Sequence, residues 1–128
     1  MSKYKLIVEK NQDGYWGQVE ELPGVFSSGN SIPNLIINSK EAIELYFENS
    51  EEKVKRIQFE LVMDIQEFFK INDFINITSL AKRIGMNSSL LRQYSKGIKF
   101  PSLVQVAKIE KEIKQIGKEL SKTELQPA

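Results

Sequence analysis

A chain of 128 residues with 41% apolar and 27% charged side chains has room for one ordinary globular domain or two small ones. It contains neither cysteine nor histidine, which removes disulfides, thiolate nucleophiles, imidazole bases and the usual nitrogen and sulfur metal ligands, and with them many enzyme mechanisms. The net charge of +1 conceals a split: residues 1–63 hold seven Lys and Arg against ten Asp and Glu, a balance of −3, while residues 64–128 hold eleven against seven, a balance of +4. A basic second half points to nucleic acid, and a mildly acidic first half would suit a basic protein partner.

The opening MSKYKLIVEK lacks the apolar core of a signal peptide, and no apolar run approaches the roughly 20 residues needed to cross a bilayer, so the cytoplasm is the expected compartment and no membrane is expected. Tyr4 to Glu9 alternates Tyr4, Leu6 and Val8 against Lys5, Ile7 and Glu9, the pattern of a strand. Asp13-Gly14 is a hairpin signal, and Tyr15 to Glu21 returns with Tyr15, Gly17 and Val19 on one face and Trp16, Gln18 and Glu20 on the other. After the Pro23-Gly24 break, Val25 to Ser28 reads as a third short strand. Ser31 is placed to cap a helix over Ile32 to Asn49, with Pro33 tolerated in its first turn. Ile32, Leu35, Ile36, Ser39, Ala42, Ile43 and Tyr46 form a stripe of helical spacing that would lie on the strands. Polar Glu48 to Lys55 turns the chain, and Arg56 to Met63 alternates Ile57, Phe59, Leu61 and Met63 as a fourth strand, completing a βββαβ domain over 1–63. The acidic residues Glu9, Asp13, Glu20 and Glu21 read as surface charges, because strand alternation does not converge them as a divalent-metal site requires. No catalytic residue, metal or cofactor is expected.

Asp64 can cap a helix over Ile65 to Asn72, whose Phe68, Phe69 and Ile71 are expected to support the helices that follow. In Ile77 to Lys99 the apolar residues and the glycine have mechanical roles. Ala81 is small where two helices would cross, and Gly85 permits the positive φ of a three-residue turn. Leu80, Ile84, Met86, Leu91 and Tyr94 then face inward. Asn87, Ser88, Ser89, Arg92, Gln93 and Lys96 are left on the outer face of the second helix, a polar and basic set suited to base edges and phosphates, with Lys82, Arg83 and Lys99 nearby for the backbone. A helical hairpin whose Ala and Gly serve only packing would give the same spacing. The charges favour DNA over that reading: Phe74 to Ile109 holds six basic residues (Lys82, Arg83, Arg92, Lys96, Lys99 and Lys108) and no acidic one, whereas a merely solvated face mixes signs. A long final helix, Leu103 to Lys122, repeats apolar residues at Val106, Ile109, Ile113, Ile116 and Leu120. Of these, Ile109, Ile113, Ile116 and Leu120 form a coiled-coil-like seam through which two copies would pair.

The run INITSLAKRIGMNSSLLRQYSKG, with SKGIKFPSLVQVAKI after it, resembles the helix-turn-helix of the phage repressor and Cro class. The string DGYWGQVEELPGVFSSGNS, followed by SKEAIELYFE, is similar to the N-terminal domain of the HicB antitoxin family, although Glu20-Glu21 stands where that family usually has Pro-Asp before Leu-Pro-Gly. The resemblance implies an α+β protein: an N-terminal βββαβ domain of degenerate ribonuclease H-like fold over 1–63, then an all-α helix-turn-helix domain for DNA binding and dimerisation over 64–128. It further implies a non-enzymatic antitoxin of a type II toxin-antitoxin system that binds a HicA-type mRNA interferase and represses its own operon at operator DNA, as a homodimer or higher homo-oligomer. The alternatives are a stand-alone helix-turn-helix regulator whose N-terminal domain oligomerises or senses a ligand, and, from another class, a ribonuclease H-type enzyme.

Overall fold

Alternation of apolar and polar side chains in the first 29 residues gives three strands, β1 (Ser2–Asn11), β2 (Gly14–Val19) and β3 (Phe26–Gly29), in the computed structural model of the chain, which describes residues 2–51 and 56–128. Helix α1 (Ile32–Tyr46) follows, and then β4 (Ile57–Val62). The sheet order is β3-β2-β1-β4, with β1 antiparallel to β2 and parallel to β4. The parallel pairing sets Leu6 beside Leu61 and Tyr4 beside Phe59, so β4 joins with its apolar set on the same face. On that face Leu6, Val8 and Val19 pack with Leu35 and Ile43 of α1, all at most 1% exposed. Burial of each such side chain stabilises the fold by about 1.5–3 kcal/mol, which makes this seam the main source of stability in the unit.

Local chemistry sets the ends of these elements. Asn11 Oδ1 accepts from the Asp13 N–H at 3.0 Å and fixes the hairpin turn. The Leu22-Pro23-Gly24 turn is closed by Val25 N–H to Leu22 O and Val19 N–H to Val25 O, so Val25 is buried as a turn residue and β3 starts one residue later than its sequence suggests. Ser31 Oγ accepts from Asn34 N–H at 3.1 Å and caps α1 as expected. Ser39, fully buried in the helix stripe, is satisfied by a hydrogen bond to Ser27. The far end of the stripe departs from expectation. Helix α1 stops at Tyr46, which is 56% exposed, and Phe47 packs on the core in its place, four residues after Ile43. The expected turn over 48–55 lies partly outside the described residues.

The chain divides into two units after Ile71, not after Met63: Met1–Ile71 and Asn72–Ala128. The physical reason is α2 (Ile65–Ile71), capped by Asp64 at 2.7 Å from Glu67 N–H. Its Glu67 carboxylate accepts from the Lys10 N–H near the end of β1 at 2.9 Å, and Ile71 packs on the sheet core. The helix expected to support the second domain therefore belongs to the first.

The second unit contains α3 (Ile77–Ile84), α4 (Ser88–Ser95) and α5 (Leu103–Ser121), capped by Asn76, Asn87 and Ser102, whose side chains accept from Ser79, Leu90 and Gln105 N–H. Gly85 ends α3 at φ 80°, and the Gly85 and Met86 N–H groups both reach the Ala81 carbonyl. Such a left-handed closure is open to glycine at little cost. The core of the unit is Leu80, Ala81, Leu91, Tyr94 and Ile109. Ile84 and Met86 are half-buried beside it.

Two glycines separate strain from space. A Cβ on Gly29 would lie 2.5 Å from Leu35 N, whereas at Gly85 nothing stands within 4 Å. Gly85→Ala is expected to cost about 1 kcal/mol by backbone strain alone, and Gly29→Ala about 1–3 kcal/mol by forcing α1 from β3. Chemical denaturation of each variant measures both, and a costless Gly29→Ala would show that α1 can shift freely.

Candidate nucleic-acid interface

Two eight-residue helices joined by Gly85, Met86 and Asn87 cross with Ala81 fully buried beneath them, and the crossing decides which side chains remain outside. Leu91 and Tyr94 turn inward. Ser89, Arg92 and Lys96 of α4 are exposed, as are Asn87 before it and Lys99 beyond it, while Ser88 is half-buried. Asn87 uses its Oδ1 on the Leu90 N–H at 3.2 Å, a cap bond that does not engage its amide nitrogen. Arg92 lies along the start of α3, its guanidinium donating to Thr78 Oγ1 at 2.6 Å. Thr78 escaped the sequence reading because nothing in its spacing marks it. Only the helix crossing brings residues fourteen positions apart together.

Three of the expected site residues are placed differently. Arg83 is drawn onto α5: its Nε donates to Glu112 at 3.0 Å and its guanidinium to Glu119 at 2.6 Å. Two carboxylates hold it, so it is not a free cation for phosphate. Gln93 is half-buried, because the chain folds back after Gly97 and the Ile98 and Lys99 N–H groups both bond to the Gln93 carbonyl. Its side-chain Oε1 is turned in and is the one buried side-chain polar atom without a hydrogen bond among the described residues. Ile109 is fully buried within its own unit and takes no part in an exposed seam; Ile113 and Ile116 are half-buried, and only Leu120, at 65%, faces water. Lys82, Arg92, Lys96, Lys99 and Lys108 remain as exposed cations on or beside the pair. Five exposed positive charges make a surface that attracts a polyanion.

Among the described residues the first unit has no comparable cluster. Among the described residues no group of three or more His, Cys, Asp or Glu is placed to hold a metal ion, and the Glu21 carboxylate is occupied by the Lys5 N–H at 2.9 and 3.1 Å. Trp16 and Phe26 stack at 5.2 Å, with Phe26 48% exposed. Among the described residues no helix is long and apolar enough to cross a membrane.

The model of HicB-like antitoxins of bacterial toxin-antitoxin systems matches residues 4–124. The chain belongs to this family. Shorter stretches are similar to a UPF0150 protein of Thermoplasma acidophilum (39% identical over 56 residues, 43% of this chain and 81% of that protein) and to one of Archaeoglobus fulgidus (43% over 47 residues, 36% and 68%). An uncharacterized 14.9 kDa protein from the rep-hol intergenic region of Haemophilus phage HP1 is 40% identical over 45 residues, 35% of this chain and 34% of the phage protein. The match to the phage protein thus spans about a third of that relative's length.

The Arg83 clamp has a pH signature. The Arg83 hydrogen bond holds the Glu119 carboxyl below its ordinary range, and Glu119 in turn raises the Arg83 guanidinium. A depressed carboxyl pKa contributes stability that is complete above the ordinary carboxylate value and is lost as pH falls through the lowered one. The α3–α5 contact should therefore weaken in acid, modestly, since the pair is solvent-screened. Thermal melts between neutral and acid pH test this: Arg83→Met should lower the neutral-pH midpoint slightly and flatten the acid decline, and an identical decline in both proteins would assign it to other carboxylates.

Proposed function

We propose that this HicB-like antitoxin acts by binding alone, without catalysis, in the cytoplasm. Its N-terminal unit, on this reading a degenerate ribonuclease H-like fold, holds and silences a HicA-type mRNA interferase. Its α3–α4 pair is a helix-turn-helix that represses the antitoxin's own operon by placing α4 in the major groove of operator DNA, with the chain acting as a homodimer or higher oligomer. The observation that carries the DNA reading is the row of exposed Asn87, Ser89, Arg92 and Lys96 on a helix whose other side is pinned by buried Leu91 and Tyr94. Those donors and acceptors match base edges and phosphates in the major groove. Support for the toxin partner comes from the family match and from the mild negative balance of the first half.

Arg92 is the side chain best placed to read a base. Arg92→Ala should cost about 1–3 kcal/mol on the operator and little on scrambled duplex, whereas Lys82→Ala or Lys99→Ala should weaken both alike and reduce the salt dependence. Gel-shift titrations on the two duplexes decide, and equal losses for Arg92→Ala would make it a backbone contact.

The division of labour is tested by fragments. Residues 1–71 should retain the toxin in co-purification and fail to bind DNA, while residues 1–63, which lack α2 and with it the Ile71 contact to the core, should hold it less well. Toxin captured only by the full chain would place part of that contact in the second unit.

A further inference from the structure

Four large apolar side chains are crowded into seven residues after α4 and stand in water: Ile98 is 66% exposed, Phe100 84%, Leu103 89% and Val104 68%. Caps and backbone bonds fix this stretch. Ile98 and Lys99 N–H bond to the Gln93 carbonyl, and Ser102 caps α5 through Gln105 N–H at 3.2 Å. At about 100° per residue, Leu103, Val104 and Ala107 lie on the side of α5 away from the stripe that carries buried Ile109. The core of their own unit therefore does not use them. At these exposures the four side chains present roughly 600 Å² of mostly apolar area. That is the upper limit of the largest patch a monomer normally carries, and about three quarters of the ~800 Å² that each partner gives to a standard interface.

We infer that this patch is where a second copy of the chain docks, about a two-fold axis beside the loop after α4. An isologous contact needs a surface complementary to itself, and an apolar patch in which Lys99 is the one charged residue between 98 and 104 meets that condition. Two such faces would bury about 1,200 Å² together, the lower bound of a standard stable interface. The inference deepens the dimeric reading above and rests on it for its consequence: a two-fold axis next to the C-terminus of α4 fixes the separation of two copies of that helix. The second half of α5, where Ile113 and Ile116 are already half-buried in their own unit, is relieved of the role.

Light scattering after size exclusion should give the full-length protein a mass of two chains or a multiple of two. Phe100→Gln with Leu103→Gln should halve the mass of the assembly with an unchanged circular dichroism spectrum. Because the chain has no cysteine, a single Leu103→Cys should give a disulfide-linked dimer on mild oxidation, and Leu120→Cys should not. A wild-type mass of one chain, an unchanged mass in the folded double variant, or preferential cross-linking at Leu120 overturns the inference. Should the double variant lose its helical signal, the cysteine variants decide alone, cross-linking at Leu103 supporting the contact and its absence overturning it. Fluorescence anisotropy with random duplex at low salt keeps the DNA reading separate. A protein whose masses and cross-links behave as expected but which binds no duplex has the contact and lacks the operator function.

Discussion

The crossing of α3 over α4 at Ala81 is the constraint on which the second unit depends. The two backbones approach closely enough that Ala81 retains no exposure, and the turn that permits the approach needs a left-handed residue, which Gly85 supplies at φ 80°. With the crossing point and the turn fixed, Leu91 and Tyr94 have one direction to point, and Arg92 and Lys96 have the other. Exposure of Arg92 and Lys96 is thus a consequence of packing beneath them. A larger residue at 81 would force the helices apart and rotate the outer row, so this small side chain governs a surface it never touches.

Much of this was legible because it depends on local rules. Period-two alternation located β1, β2 and β4 to within a few residues, and the side-chain caps at Ser31 and Asp64 marked helix starts that the hydrogen bonds bear out. What escaped the sequence depends on partners far along the chain. Arg83 and its carboxylates are 29 and 36 residues apart, so a basic residue in a basic run gave no sign that it was already paired. The allegiance of α2 turned on Glu67 reaching the Lys10 N–H 57 residues back. Tyr46 and Phe47 are adjacent aromatics at the end of one helix, and their spacings of three and four from Ile43 both suit an apolar stripe. Where the helix stops selects between them.

The same limit explains where Gln93 and the α5 stripe lie. Gln93 sits one position from Arg92, and helical spacing alone does not exclude both from the outer face. The fold-back after Gly97 does so for Gln93, since it draws two backbone N–H groups to the Gln93 carbonyl and lays the loop alongside. On α5 the limit takes a complementary form. A three-four repeat of aliphatics marks a helix that buries one stripe, but it does not say whether the cover is another copy or the rest of the same unit. Ile109 at 0% exposure shows that the cover begins within the chain, while the exposed apolar area lies at the other end of α5 and on the opposite side.

That displacement has a mechanical meaning under the operator reading. A dimer joined through the far half of α5 would put about twenty residues of chain between the contact and α4. A contact formed by residues 98–104 puts the two-fold axis only a few residues beyond the last turn of α4. Short, capped and hydrogen-bonded connections transmit orientation better than long ones, because fewer backbone torsions can relax between the contact and the helix it must hold. Two copies of α4 fixed in this way would tolerate few half-site spacings on the duplex, since a shift by one base pair rotates one site by about a tenth of a turn relative to the other. The apolar loop after α4 would then contribute to specificity for spacing without touching a base, as Ala81 contributes to the presentation of Arg92 without being exposed.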